Sequence, residues 1–195
     1  MHYDRISNLT SLVLRFYTKC FSFPYEEMTY ELQYLFRTIE RDEIIGEELI
    51  HVNQILNIIN YYQGANLKNL RADYVVLFSS DIDREALCPL LASDFLAKLS
   101  KPYDSGYVSD LLLESGLPIN DDEPLDSIMN FLEYISLLSE NYMEYNANAA
   151  ELNKFFKYHV LLWIPQFCDI LYSQAQLDFY REVAYGLKNY ILWLA

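Results

Sequence analysis

Glycine is scarce, with five in 195 residues. A backbone cradle for phosphate needs residues without a Cβ, so little of this chain could build one. The patterns G-x-S-x-G, G-x-x-x-x-G-K-S/T and G-x-G-x-x-G are all missing. Their absence removes the usual sequence grounds for a serine hydrolase, a nucleoside triphosphatase or a dinucleotide enzyme. Cysteine is equally sparse. Cys20, Cys88 and Cys168 are odd in number, far apart and outside any C-x-x-C or zinc spacing, so buried thiols in a reducing compartment are expected. His2 and His51 belong to no metal-ligand pattern, and neither metal nor cofactor is expected. Basic residues are few, 14 Lys and Arg against 28 Asp and Glu. That balance argues against nucleic acid, whose phosphates demand cations, and against docking on an anionic membrane. Apolar runs such as Val160-Leu161-Leu162-Trp163-Ile164 are far too short to span a bilayer. Asp4, Arg5, Arg15 and Lys19 interrupt the first apolar residues, so no signal peptide is read there. A cytoplasmic protein without stable membrane insertion is expected.

Apolar material is plentiful, at 52% hydrophobic residues with 18 Tyr and 11 Phe. A chain of this size can bury an aromatic-rich core, and we expect one domain over residues 1–195. Charge is distributed unevenly. From Pro102 to Asn153 there are eleven acidic residues and no Lys or Arg, so this window holds −11 of the formal −14. A solvated face is the plain reading and a docking surface for something cationic is the sharper one. Within the window, an acidic loop over 118–127 runs into an apolar stripe of Ile128, Phe131, Leu132, Ile135, Leu138 and Tyr142. That spacing predicts a helix capped by Asp121 or Asp122, with Pro124 in its first turn.

The remaining chain repeats the three- and four-residue apolar step. Helices are predicted over 3–22, 25–40, 42–62, 66–79, 90–99, 105–114, 149–163 and 174–194, with another turn after Pro165. Gly64 is expected as a left-handed stop. Residues 74–78 have strand propensity, but their helical flanks decide against a strand. Residues 80–104 form the least regular stretch. The prediction is an all-α single-domain bundle of about eight to ten helices.

Asp121, Asp122 and Asp126 could serve a Mg²⁺-dependent helical enzyme only if they shared one face of a continuing helix opposite a second acidic set. Pro124 interrupts them and no second set is evident. A groove lined by Tyr, Phe and Leu and rimmed by carboxylates suits a different task. It would hold a peptide that is basic at one end and apolar after it. Exposed ion pairs contribute only about 0.2–1 kcal/mol each, so apolar burial must supply most of the roughly −8 kcal/mol of a micromolar complex.

Four segments in order resemble the TorD/DmsD/NarJ family of redox-enzyme maturation chaperones. They are Leu70-Arg71-Ala72-Asp73-Tyr74-Val75-Val76-Leu77-Phe78, Glu123-Pro124-Leu125-Asp126-Ser127, the stretch from His159 through Trp163 and Pro165 to Phe167, and Phe179-Tyr180. Two departures stand out: Ser127 occupies the place of the family's loop histidine, and Cys88-Pro89-Leu90-Leu91 replaces its proline-aromatic stretch. The resemblance implies a TorD-like all-helical cytoplasmic chaperone that is not an enzyme. Its partner would be the twin-arginine signal peptide, or the apo catalytic subunit, of a molybdenum or tungsten oxidoreductase. Binding would last until the client's cofactor is inserted and would delay export. A NarJ-like assembly factor for a non-exported enzyme is the nearest alternative, and a general acidic helical adaptor the next. Either a monomer or a dimer is compatible. The peptide-binding positions so implied are Asp73, Tyr74, Glu123, Pro124, Asp126, His159 and Trp163, to which the acidic rim adds Asp122. For Tyr74, His159 and Trp163 the plainer role is core packing, and for Glu123 and Asp126 helix capping competes with binding.

Overall fold

A computed structural model of the protein describes residues 8–41, 48–80, 83–101, 103–114, 124–140 and 147–195. Among these, ten α-helices occur in the order α1 (Asn8–Cys20), α2 (Met28–Arg41), α3 (Glu48–Ile59), α4 (Leu67–Phe78), α5 (Ala92–Lys98), α6 (Ser105–Glu114), α7 (Ile128–Glu140), α8 (Ala147–Phe155), α9 (Ile164–Gln174) and α10 (Asp178–Leu194). The described residues form no strand, only one isolated antiparallel bridge between Leu91 and Ser127. The all-α expectation therefore holds, and the 74–78 segment is helical.

The apolar stripes meet in one core. From α1 it takes Val13, Phe16 and Cys20, and from α7 Ile128, Phe131 and Ile135. From α10 it takes Tyr180, Val183, Leu187 and Ile191. All three cysteines are buried free thiols. The pairing of α1 with α7 is the most extensive, followed by α10 with α9 and α10 with α3. Small polar residues let α1 and α7 approach closely, and the hydroxyls of Ser11 and Ser136 share a hydrogen bond of 2.7 Å in the interior. At the α3–α10 crossing, Gly186 leaves room for His51, whose Cβ would lie 2.7 Å from any Cβ at position 186. The His51 ring is held there by the Glu182 carboxylate at 2.8 Å.

Three boundaries differ from the sequence expectation. Helix α7 starts at Ile128, not within the acidic loop, and its cap is Ser127, whose Oγ accepts the Asn130 N–H at 3.2 Å. Pro124 thus lies before the helix rather than in its first turn, while Asp121 and Asp122 lie outside the described residues. The helix expected over 149–163 stops at Phe155 and widens into a π turn over Phe156–Val160, closed by the Leu161 N–H donating to the Phe156 carbonyl at 2.9 Å. Pro165 is the cause: it has no N–H, and its ring would collide with the carbonyl four residues back if one helix continued. The chain restarts as α9 instead, where proline at the helix start is tolerated. The single final helix expected over 174–194 is preceded by the separate α9 and begins at Asp178. Gly64 has φ of +56°, as a left-handed stop requires.

Candidate functional site

A chain of aromatic rings links two of the expected site residues, Tyr74 and His159, and passes through a third, Trp163. Tyr74 packs edge-on to Phe78 at 4.9 Å, Phe78 to Phe21 at 6.1 Å, and Phe21 to Phe167 at 5.7 Å. The contacts continue from Phe167 to Trp163 at 5.6 Å, Trp163 to Phe131 at 5.5 Å, and Phe131 to Phe155 at 5.3 Å. They end on His159, 5.3 Å from Phe155. Edge-to-face rings at such distances contribute about 0.5–1.5 kcal/mol per pair beyond their buried area.

At the first end, Asp73 is 5% exposed. Its carboxylate accepts the Leu177 N–H at 3.1 Å and the Gln176 N–H at 3.4 Å, just before α10. It is a helix cap supplied from α4, about a hundred residues away in the chain. Burial pushes its carboxyl above the usual range, against the two N–H donors and Arg181, which pull it down. Tyr74 donates its hydroxyl to the Phe21 carbonyl at 3.2 Å.

At the second end, the segment Pro124–Ile128 is stitched to the start of α5. The Asp126 carbonyl accepts the Ala92 N–H at 2.9 Å, and the Ile128 N–H donates to the Leu90 carbonyl at 2.8 Å. The Asp126 side chain is 7% exposed and accepts the Ser93 N–H at 2.9 Å. The Asn130 side-chain amide donates to the carbonyls of Pro124 at 3.1 Å and Leu125 at 3.2 Å. Residues 124–128 are therefore firmly held, and Asp126 is committed to that turn. Asp122 and Glu123 lie outside the described residues, so only Pro124 and Asp126 of the acidic-loop set are placed.

Trp163 is fully buried and is the N-cap residue of α9, with an indole N–H that has no hydrogen-bond partner among the described residues. His159, on the π turn, is half-buried. Burial lowers its pKa first and Lys154 lowers it further, while Asp104 opposes them. The folded pKa is thus below the unfolded one, so His159 costs stability as pH falls through about 6.5. His159→Asn is expected to reduce the loss of Tm between pH 7.5 and 5.5, measured by thermal melts. An unchanged pH profile would remove His159 from that titration. Tyr103 and Asp104, not selected from the sequence, belong to this end too. Burial raises the Tyr103 phenol, and Asp126 and Asp104 raise it further. Asn130 and the capping role of Ser127 were likewise missed, because their task is local bonding in a loop with no periodic pattern.

Among the described residues no group of three His, Cys, Asp or Glu side chains could hold a metal ion. Nor is any helix of the described residues long and apolar enough to cross a membrane.

Residues 46–169 match the family described as nitrate reductase delta subunit. The chaperone protein TorD of Salmonella schwarzengrund (strain CVM19633) is 26% identical over 152 residues, 75% of this chain and 68% of that protein. TorD of Salmonella agona (strain SL483) is 26% identical over 161 residues, 80% of this chain and 72% of that protein. The fold is also that of a crystal structure assigned to a redox enzyme maturation protein from Archaeoglobus fulgidus. The TM-score is 0.62, with 20% identity over 93% of each chain.

Proposed function

Because the chain belongs to the nitrate reductase delta subunit family, we propose that it holds the catalytic subunit of a molybdenum or tungsten oxidoreductase during maturation, engaging that client's twin-arginine signal peptide. Its similar proteins are named chaperones and not enzymes, and the protein is a chaperone of redox-enzyme maturation rather than a catalyst. The observation that carries the reading is the extent of the family match, 46–169, which takes in the whole low-cation acidic window from 102 to 153. Preferential binding to one state of the client stabilises that state by mass action, without ATP. Carboxylates of the window select the arginines, and apolar contacts supply most of the affinity.

The residues divide their tasks. Asp122 and Glu123 are the proposed peptide carboxylates, with Pro124 beside them. Asp126 acts by holding the turn after them, while Asp73, Tyr74 and Trp163 act by holding the core, and half-buried His159 is a further candidate contact. A synthetic peptide with adjacent arginines followed by leucines is expected to bind and to release as salt is raised. Asp122→Asn with Glu123→Gln should weaken it about three- to tenfold at unchanged Tm, by the removal of two exposed ion pairs. Asp126→Asn, in contrast, should lower Tm. A double variant that binds like the parent would take the acidic loop out of the site.

A second reading is assembly of an enzyme that is not exported, and the family description points to a nitrate reductase-like client. Affinity capture from the native host, followed by molybdenum analysis and peptide sequencing of the captured subunit, separates the two. A catalytic subunit without a twin-arginine leader supports the second.

A further inference from the structure

We propose that the groove between α1, α2 and α7 receives one arginine side chain of the bound peptide, with Glu133 as its counter-ion and Tyr30 and Tyr34 as its aromatic walls. This rests on the peptide-binding reading above and adds a contact to it on a different part of the surface. The groove has a volume of about 530 Å³ and is lined by Arg15, Lys19, Glu31, Thr18 and Leu35 together with those three side chains. Tyr30 and Tyr34 are 68% and 72% exposed, one helical turn apart, on a helix whose own apolar stripe is Met28, Leu32 and Ile39. Large rings on the solvent side of a helix do not serve the core, and a guanidinium stacks well on a tyrosine face.

Charge bookkeeping singles out Glu133. Lys19 is closed by Glu31 at 2.6 Å, and Arg15 Nη2 by Glu140 at 2.9 Å, with the Ser11 hydroxyl donating to the same Glu140. Glu133 is left with Arg15 Nε at 3.8 Å, too long for a hydrogen bond, and its side chain is only 34% exposed. Once the paired charges are set aside, the groove keeps one under-compensated carboxylate on its wall. Burial raises the Glu133 carboxyl above its usual range, Arg15 and, more weakly, Lys19 oppose that, and Glu140 adds to it. An incoming cation would relieve that cost, so binding should tighten as pH rises above the carboxylate range. The half-exposed residues of α7 are Met129, Glu133, Leu137 and Glu140, a stripe that starts two residues after Ser127. At 1.5 Å per residue, Glu133 lies roughly 9 Å along the axis from Ser127, about three residues of extended peptide.

Fluorescence anisotropy with the peptide of adjacent arginines and leucines tests this, with a second peptide in which citrulline, neutral but of the same shape, replaces both arginines. Glu133→Gln should weaken the arginine peptide about five- to tenfold and Tyr34→Ala about two- to fivefold. Neither should move the citrulline peptide. Thermal melts of both variants should match the parent, since Tyr34 is exposed and the Arg15–Glu140 pair remains. If both variants bind the arginine peptide like the parent while Asp122→Asn/Glu123→Gln does not, the groove is not the receptor and the proposed function stands. If the unaltered protein fails to bind the arginine peptide, the groove receptor and the signal-peptide reading fall together.

Discussion

Trp163→Ala is expected to lower the unfolding free energy by about 3–5 kcal/mol, the range for removing a large aromatic side chain from a packed core. Trp163 has no exposed surface and touches Phe95 at 5.8 Å, Phe131 at 5.5 Å and Phe167 at 5.6 Å. These three rings belong to α5, α7 and α9, so one truncation opens a void where three helices meet. Against a total of about 5–15 kcal/mol for a domain, the loss decides whether the protein stays folded at growth temperature. Urea unfolding followed by tryptophan-independent circular dichroism measures it. A loss under about 1 kcal/mol would contradict the packing described. Trp163→Phe should recover most of the deficit, because the indole N–H has no hydrogen-bond partner to lose. Any failure of Trp163→Ala to bind peptide must therefore be read beside its melting curve.

The second large effect is at Asp73. Removing its carboxylate leaves the N–H groups of Gln176 and Leu177 without their acceptor, and Asp73→Ala is expected to cost about 2–3 kcal/mol. Asp73→Asn keeps one acceptor oxygen and should lose less. The sign of the pH dependence is set by the raised carboxyl of the folded protein. A carboxylate with a higher pKa folded than unfolded binds more protons in the native state, so its contribution grows as pH falls towards about 4 and declines as pH rises. Melts of the parent and Asp73→Asn between pH 7 and pH 4.5 should accordingly shift in the parent's favour on acidification. A difference that is constant with pH would mean that burial does not perturb this carboxyl.

Much of the architecture was legible because apolar residues recur with the helical step, and burial follows those stripes in α3, α4 and α10. Gly64 was legible from chemistry alone. What escaped was set by single residues acting against the periodic pattern. Ser127 displaced the expected aspartate caps because Asn130 ties the preceding carbonyls into a turn, which delays the helix until Ile128. The π turn before Leu161 reflects a proline further along, not the residues in the turn itself. Helix α5 ends with Ser100 at φ +54°, where a glycine would have signalled the stop. Asp73 and Asp126 were picked out by motif as ligand-binding carboxylates, yet each sits under an N–H donor from a segment far away in sequence. Such pairings leave no local trace. The groove around Glu133 draws on residues near 15, 30 and 133, so no single window displays it. Its one sequence signal was Tyr30 and Tyr34 lying off the apolar stripe of α2.

The bridge between Leu91 and Ser127 makes the residues just before α7 and those opening α5 into one mechanical part. Asp126 grips Ser93 on that part, and at the far end of α5 Lys98 is anchored to the Ala86 carbonyl. A client tugging at the acidic tract would pull on this whole strap rather than on a loose tether. If the acidic tract holds a client as proposed, the load would pass into the 86–98 segment, and hydrogen exchange there should change when the client docks.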